Sequence, residues 1–282
     1  MPEMPEVETI CRSLRNCLPK QKITQVEILS SAPIKWPSPE EFVGRTTGRT
    51  ITAVRRRGKY ILLDLTDEYM LVIHLRLTGS LVYHKTAFSP SYHDRIVFRL
   101  SSGAALVYAD TRCLGTVQNL LPDEKDKAKG LYTLGPEPLS AEFTEQYLRQ
   151  KCKSKRGKIK SVLLEQSFLA GLGNIYADEA LFVSEIHPLR APNSLSESEI
   201  NKLYRAINEV IAAGIKDGGT TFRDYKNAEG GHGSHQENLF AYGRTGQPCR
   251  KCGTLIKRIV VGGRGTHYCP RCQQNIMGEQ AL

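Results

Sequence analysis

Four cysteines in this sequence have the types and spacing of a metal site. Cys249 and Cys252 form one Cys-x2-Cys pair, Cys269 and Cys272 form a second, and sixteen residues separate the two pairs. Two thiolate pairs at this spacing converge on one tetrahedral zinc ion. Since all four ligands are cysteines, the metal has a structural role rather than a catalytic one. The sequence therefore predicts one structural zinc per chain.

The opening residues, MPEMPEVETI, are a second candidate for chemistry. If Met1 is removed, Pro2 carries a free secondary amine and Glu3 places an acid beside it. The same residues also fit an extended approach to a helix, with Pro5 in the first turn. The residues alone leave both interpretations open.

The charge balance indicates the class of partner. The chain has 39 Lys+Arg and 29 Asp+Glu, a net charge of +10. Such a field attracts polyanions, and nucleic acid is the commonest of them. A membrane surface is the competing partner, but there is no run of about 18 apolar residues. Glu3, Glu6 and Glu8 also stand where a signal segment would be basic and then apolar. We therefore expect a soluble, cytoplasmic protein without membrane contact.

The spacing of apolar residues predicts which helices and strands position these residues, and this spacing changes along the chain. Apolar residues at i, i+3, i+4 and i+7 predict a first helix with one buried face, and they are Val7, Ile10, Cys11 and Leu14. From about 23 to 121, short β-rich runs alternate with turn-prone residues, which predicts an antiparallel sandwich or barrel. Later helices are predicted at 141–152, 159–166, 175–184 and 196–216.

The expected fold class is α+β, in three parts. A charged stretch followed by Gly and Pro marks a boundary. It separates an antiparallel β-sandwich with flanking helices, at 1–132, from the rest of the chain through a linker at 133–140. A helical domain at 141–245 follows, with a glycine-rich polar segment inside it. The zinc-binding β-hairpin lies in 246–282.

Two further residues stand where a phosphate could bind. In GLGNIYADEALF, Asn174 enters a helix after Gly171 and Gly173, and such an N-terminus can hold a phosphate. The same pattern fits an ordinary turn with an Asn cap. Between the cysteine pairs, GTLIKRIVVGGRGTHY predicts a β-hairpin whose tip includes Arg264. This arginine is either a solvated turn residue or a cation presented to a groove or a phosphate cluster.

Seven motifs together resemble one family. MPEMPEVETI, RRRGKYILL, HLRLTG, DTRCLG, GLGNIYADEALF, GGTTFRDY and the four-cysteine hairpin occur in the order typical of bacterial formamidopyrimidine-DNA glycosylases. The resemblance covers nearly the whole chain. It implies a monomeric, bifunctional enzyme that excises oxidised purines, chiefly 8-oxoguanine and formamidopyrimidines, from double-stranded DNA and then cleaves the strand. It also implies an N-terminal β-sandwich, a helix–two-turn–helix unit and a zinc finger.

The resemblance implies four catalytic residues. With Met1 removed, the amine of Pro2 would attack deoxyribose C1′ and form an iminium, while Glu3 would carry protons. An α-amino group with a pKa of ~8 is partly unprotonated at neutral pH. Lys59 and Arg264 would bind the phosphates of the lesion and assist the elimination steps.

The resemblance also implies a set of DNA contacts. Arg112 would enter the minor groove and hydrogen-bond with the cytosine opposite the lesion. The family usually has Met and Phe where this chain has Leu77 and Leu114, so the space left by the flipped base would be filled by aliphatic side chains. We call Leu77, Arg112 and Leu114 the wedge residues. Further contacts with DNA are implied for His93, Arg156, Lys160 and Asn174.

The segment 217–238 would close over the flipped base, and we call it the capping segment. The family usually has an aromatic residue there, where this chain has Ser234 and His235. Two alternatives remain beside the purine-specific enzyme. One is an endonuclease VIII-type glycosylase for oxidised pyrimidines, against which the PEMPEVE opening and the long glycine-rich segment argue. The other is a non-catalytic zinc protein that binds DNA, in which Pro2 only leads into the first helix.

Overall fold

A computed structural model describes residues 2–86, 88–221, 227–228 and 230–275. The chain divides into two compact units. The first consists of Met1–Thr133 with Gly214–Gln236, and the second of Leu134–Ala213 with Glu237–Leu282. Each unit is therefore built from two stretches of chain, and most of the capping segment belongs with the first.

The first unit begins with a helix that has one apolar face. Helix α1 spans Met4–Arg15, with Glu3 as its N-cap and a proline in its first turn. The four residues of the predicted apolar face are fully buried. The remaining elements of this unit are β1 (Ile23–Ile28), β2 (Ile34–Trp36), α2 (Pro39–Thr46), β3 (Ile51–Arg57), β4 (Tyr60–Leu65), β5 (Met70–His74), β6 (Gly79–His84), β7 (Asp94–Leu100), β8 (Ala105–Asp110), β9 (Thr116–Leu120) and α3 (Lys129–Tyr132).

The strands of the first unit form two sheets. One has the order β1-β7-β8-β6 and the other β2-β9-β5-β4-β3. Neighbouring strands are antiparallel, as predicted, except that β2 pairs with β9 in parallel, with Ile34 opposite Val117. The exception is a three-residue strand at the edge of its sheet. An edge strand needs only one partner, so its direction is less constrained than that of a central strand.

One hydrophobic core joins the two sheets and α1. Leu63 and Ile73 from one sheet and Phe98 from the other are fully buried in the same cluster as Ile10 of α1. Burying a side chain of this size contributes roughly 1.5–3 kcal/mol. The predicted sandwich is therefore confirmed, with α1 packed as part of its core.

After residue 133, the described part of the chain contains four α-helices, one of them only five residues long, and a hairpin. In the hairpin, Val261 pairs with Arg264. Gly262 and Gly263 connect them with φ of 56° and 73°, the positive values that a two-residue type I′ turn requires. None of the described helices has the length and hydropathy needed to cross a bilayer. The elements are α4 (Glu145–Ser154), α5 (Ile159–Leu163), α6 (Asn174–Val183), α7 (Glu197–Lys216), β10 (Lys257–Val261) and β11 (Arg264–Tyr268).

Candidate active site

Pro2 and Glu3 lie at the start of α1, and both are buried. The backbone N–H of Glu3 donates a hydrogen bond to Glu6 Oε2 at 2.7 Å. In return, the carboxylate of Glu3 accepts one from the backbone of Glu6, which completes a capping box. This reciprocal pair fixes the backbone at Glu3 and so restricts Pro2, its neighbour. Sequence reasoning missed this role of Glu6, because the N-cap here is Glu3 and not the Ser or Thr that usually marks a capping box.

Glu6 also holds the start of the capping segment. Its second oxygen, Oε1, accepts a hydrogen bond from the backbone N–H of Thr220 at 2.7 Å. Gly219 has φ +87°, and a Cβ there would lie 2.9 Å from Glu6 Cγ, so the close approach requires glycine. The capping segment therefore begins against the first turn of α1. Its residues 222–226 and 229 lie outside the described part of the chain.

The two ends of the capping segment are joined by His235. His235 Nδ1 lies 2.8 Å from Asp217 Oδ2. The backbone N–H groups of Ser234 and His235 donate to the carbonyl oxygens of Asp217 and Gly219, each at 3.1 Å. A buried histidine paired with a carboxylate therefore closes this segment.

Helix α1 is attached to the strand that leads to Lys59. The Glu8 carboxylate accepts hydrogen bonds from Arg15 at 2.9 Å and from Arg56 of β3 at 2.8 Å. Burial raises the pKa of Glu8, but the hydrogen bonds from Arg15 and then Arg56 outweigh it and hold the pKa below its ordinary value. Glu8 therefore carries a charge that ties α1 to β3, and β3 ends two residues before Lys59.

Lys59 occupies the tight connection between β3 and β4 and is only 6% exposed. Its neighbour Gly58 has φ +55°.

Burial, together with the charges of Arg76 and Lys59, lowers the pKa of His74 to about 3. The neutral ring of His74 accepts the backbone N–H of Arg76 at Nδ1, at 3.1 Å. The turn that carries Leu77 thus starts from an uncharged, buried histidine.

The two wedge leucines are unusually exposed for their type. Leu77 is 39% and Leu114 is 42% exposed. Each follows a non-glycine residue in the left-handed region: Arg76 has φ 53° and Cys113 has φ 51°. Arg112 is also exposed, two residues before Leu114. All three wedge residues belong to the first unit, on the turns that follow β5 and β8.

His93 and Arg156 are surface residues. His93 is exposed in the first unit, and its ring lies edge-on to that of Tyr92 with 5.1 Å between centroids. Arg156 is exposed in the second unit, in the connection between α4 and α5. Both side chains are accessible, as the predicted contacts with DNA require.

Lys160 is placed differently from the predicted DNA contact. Its side chain is fully buried, and Nζ lies 2.6 Å from Asp178 Oδ1 and 2.8 Å from the Asn174 carbonyl oxygen. The other oxygen of Asp178 accepts a hydrogen bond from the backbone N–H of His267 at 2.9 Å. A buried ammonium needs such a partner, because desolvation without one is costly. Lys160 therefore connects α5 and α6, and Asp178, which sequence reasoning missed, connects both to β11.

Asn174 and Arg264 are brought near each other in the chain's second unit. Asn174 is the first residue of α6, and its Nδ2 donates to the carbonyl oxygen of Gly265 at 2.9 Å. Gly265 directly follows Arg264, which is exposed at the start of β11. The amide of Asn174 thus fixes the hairpin end that presents Arg264. An exposed arginine, one residue from a backbone carbonyl that is bonded to the first residue of a helix, is suitably placed to bind a phosphate.

The four cysteines of the predicted zinc site come together. Their sulfur atoms all lie within 4.8 Å of one another. Cys249 and Cys272 are 3.9 Å apart at Sγ, and Cys252 and Cys269 are 3.5 Å apart. Tetrahedral zinc with Zn–S bonds of about 2.3 Å requires S–S distances of roughly 3.8 Å. The donor set fits one structural zinc.

A buried carboxylate holds the segment that leads into the zinc site. Glu179 of α6 is 2% exposed and accepts three backbone N–H groups, from Phe240, Ala241 and Tyr242, at 2.8–2.9 Å. Burial raises the pKa of Glu179 despite these bonds. The three N–H groups have no other secondary structure to satisfy them, so this contact positions the chain before the first cysteine pair.

Comparison with known protein families covers most of the sequence. Residues 1–117 match the formamidopyrimidine-DNA glycosylase N-terminal domain, and residues 134–226 match the H2TH domain of the same enzymes. Residues 246–275 match the zinc finger found in FPG and IleRS. The three matches follow one another in the order expected from the motifs.

Individual relatives match over almost their full length. The formamidopyrimidine-DNA glycosylase of Pelotomaculum thermopropionicum is 44% identical over 274 residues, covering 97% of this chain and 99% of that protein. The Bacillus cereus enzyme is 43% identical over 277 residues, covering 98% and 100%. A solved structure of Lactococcus lactis Fpg with DNA containing an abasic site has a TM-score of 0.90 and 39% identity, over 96% of this chain and 99% of that one. This chain therefore belongs to the formamidopyrimidine-DNA glycosylase family.

Proposed function

We propose that this protein excises oxidised purines from double-stranded DNA, using Pro2 as the nucleophile, and then cleaves the strand at the resulting abasic site. The observation that carries this proposal is the start of α1. There the Glu3 backbone is fixed by Glu6, and Glu6 in turn holds Thr220 of the capping segment. The position expected of the nucleophile is thus tied directly to the segment expected to enclose the damaged base.

In the proposed reaction, the Pro2 nitrogen forms a bond to C1′ of the deoxyribose as the bond from C1′ to the base breaks. The base leaves with a proton, and Glu3 carries protons during base loss and sugar-ring opening. The resulting iminium makes the C2′ proton acidic. β-Elimination then breaks the 3′ phosphate ester and δ-elimination the 5′ ester, and hydrolysis frees Pro2.

The other proposed roles follow from position and charge. Lys59 and Arg264 bind the phosphates on either side of the lesion and favour their departure. The wedge residues fill the space left by the flipped base, and His93, Arg156 and Asn174 bind the DNA backbone. The zinc fixes the hairpin that carries Arg264 and takes no part in the chemistry. The protein acts as a monomer, in the cytoplasm, where it associates with the nucleoid through DNA.

Borohydride trapping on an 8-oxoguanine duplex tests the proposal. Protein without Met1, identified by intact mass, should give a covalent adduct with the DNA after reduction of the iminium. Pro2→Gly should bind the duplex but lose most of the adduct, since a primary amine lacks the fixed ring geometry. Protein that keeps Met1 is the matched control, because its Pro2 nitrogen is an amide. Equal trapping by that form would reject Pro2 as the nucleophile.

A further inference from the structure

Asp110 is a buried carboxylate at the end of β8 that the proposed mechanism does not use. It is 1% exposed. Each of its two oxygens accepts two hydrogen bonds. Oδ1 accepts from Thr78 Oγ1 at 2.5 Å and from the backbone N–H of Arg112 at 3.1 Å. Oδ2 accepts from the backbone N–H of Gly115 at 2.8 Å and from the Tyr108 hydroxyl at 3.2 Å.

These bonds connect the two turns that present the wedge residues. The N–H groups of Arg112 and Gly115 lie on either side of Leu114, so Asp110 fixes both ends of this short loop. Thr78 directly follows Leu77 on the other turn. The carboxylate of Asp110 is therefore hydrogen-bonded to Arg112 itself and to a neighbour of each wedge leucine.

Each of the two turns contains a residue in an unfavourable backbone conformation, which the surrounding hydrogen bonds must stabilise. Cys113, with φ 51°, and Arg76, with φ 53°, lie in the left-handed region that non-glycine residues rarely adopt. Each precedes an exposed wedge leucine. A residue stays in this region only when its surroundings over-determine the conformation. In the loop after β8, the two N–H bonds to Asp110 do so directly.

The partners of Asp110 indicate that its carboxylate positions the two turns and does not bind a cation. Its four donors are a hydroxyl, a phenol and two backbone amides, all uncharged. Burial raises the pKa of Asp110, but the hydrogen bonds from Thr78, Gly115, Arg112 and Tyr108 together outweigh it and hold the pKa below its ordinary value. A negative charge beside a DNA-binding loop weakens phosphate binding. Its benefit must therefore lie in geometry.

We propose that Asp110 is a positioning residue for base extrusion: its carboxylate holds Leu77, Arg112 and Leu114 in the arrangement that fills the space left by a flipped base. The inference rests on the proposed function, since the wedge residues act only on DNA. In this proposal, Asp110 is the residue that allows the three wedge side chains, which are separated in sequence, to act together.

The first test is Asp110→Asn, which keeps the shape but replaces one accepting oxygen by a donor. Single-turnover excision of 8-oxoguanine opposite cytosine should fall about ten- to hundredfold, because buried donors left unpaired disfavour the loop arrangement that extrusion needs. Cleavage of a ready-made abasic site should change less than threefold, because no base has to leave the stack. Thr78→Val removes one bond only and should show the same selectivity with a smaller loss, even if Asp110→Asn folds poorly.

Asp64→Asn is the matched charge control, since it removes one negative charge from the exposed pair with Arg55 in the same unit. It should leave the ratio of the two rates unchanged. A 2-aminopurine base beside the lesion should report slower extrusion in Asp110→Asn and Thr78→Val. Finally, Asp110→Asn should add little to the loss that Arg112→Ala causes alone, because both remove the same step.

Three results would overturn the inference: equal losses on both substrates, unchanged extrusion fluorescence, or losses that multiply in the double variant. Absence of both activities from the wild-type protein would instead reject the proposed function. The wild-type reaction on the abasic duplex therefore separates the two failures.

Discussion

The carboxylate of Glu6 accepts the backbone N–H of Thr220 at 2.7 Å, across 214 residues of sequence. This bond brings the capping segment to the first turn of α1. It depends on Gly219, whose place leaves no room for a side chain beside Glu6.

Gly219→Ala should therefore impair the capping segment specifically. The added Cβ would lie 2.9 Å from Glu6 Cγ and 3.2 Å from Glu6 Cα, so the segment or the helix must move. We expect slower excision of 8-oxoguanine and a lower Tm. Gly48→Ala is the matched control, because Gly48 has a similar φ, +84°, but open space around it. Both variants share the left-handed penalty of about 1–2 kcal/mol, and only the first has the collision. Equal excision rates for both would contradict this account.

Glu3→Gln separates the two halves of the proposed reaction. The amide cannot carry protons during departure of the base, so excision of 8-oxoguanine should fall by about 10²–10⁴-fold. Cleavage of a ready-made abasic site skips that step and should lose much less. Gln still accepts the Glu6 backbone N–H, so the capping box and the Tm should be nearly preserved. Parallel losses on the two substrates would argue against the assigned role of Glu3.

Removal of zinc should affect the hairpin that carries Arg264. Zinc contributes on the order of 10 kcal/mol to a small four-cysteine site. Cys249→Ser, or chelation, should abolish specific DNA binding while leaving the far-UV signal of the helices and sandwich largely intact. Cys17→Ser is the control, because Cys17 lies in the first unit, outside the cluster. Undiminished affinity after verified zinc loss would mean that Arg264 does not bind DNA.

The pKa of His74, about 3, predicts a dependence of stability on pH. This value is below the unfolded value of ~6.5. The stabilisation is therefore complete above pH ~6.5 and is lost as the pH falls, since only the unfolded chain takes up the proton there. The free energy of unfolding falls with a limiting slope of about 1.4 kcal/mol per pH unit. Because the unfolded histidine is only half protonated at pH 6.5, the loss between pH 6.5 and 5, where most carboxylates remain charged, is about 1.6 kcal/mol.

His74→Asn tests this directly, because its Oδ1 can still accept the backbone N–H of Arg76 but the residue does not titrate. Urea unfolding should show a flatter decline for the variant between pH 6.5 and 5. Above pH 7 the two proteins should depend on pH in the same way. Identical slopes in the acidic range would show that His74 does take up a proton in the folded state.

Local patterns in the sequence predicted the elements and the zinc site. The apolar spacing from Val7 to Leu14 located the buried face of α1, and the Cys-x2-Cys pairs gave the donor set. Motif order was enough to indicate the family. These features depend on residues a few positions apart, whose periodicity and spacing are visible in one sequence.

Contacts between distant residues could not be read in this way. Asp110 and Thr78 are 32 positions apart, and no periodicity links them. Lys160 lies in the basic run KSKRGKIK, which resembles a solvated surface, but the chain brings Asp178 to it and buries both. A carboxylate at a strand end and a lysine in a basic run are each common on surfaces, so only the fold reveals their partners.

The aliphatic wedge gives the last prediction, because the resemblance implies an aromatic residue where this chain has Leu114. Flipping a base costs a few kcal/mol of unstacking, and the wedge offsets part of it. An aromatic ring can stack on the neighbouring base, which contributes roughly 1–3 kcal/mol, whereas leucine only fills volume. Leu114 is 42% exposed, so a larger side chain there meets solvent rather than the core.

Leu114→Phe should therefore raise single-turnover excision of 8-oxoguanine opposite cytosine and leave abasic-site cleavage nearly unchanged. Arg112→Ala, in the same buffer and on matched duplexes, should depress the first reaction far more than the second. Leu139→Phe is a suitable control, since Leu139 is an exposed leucine in the other unit, 52% exposed, with no proposed contact with DNA. If Leu114→Phe slowed excision of the paired lesion, position 114 would serve packing within its loop, and the role assigned to it in base extrusion would be wrong.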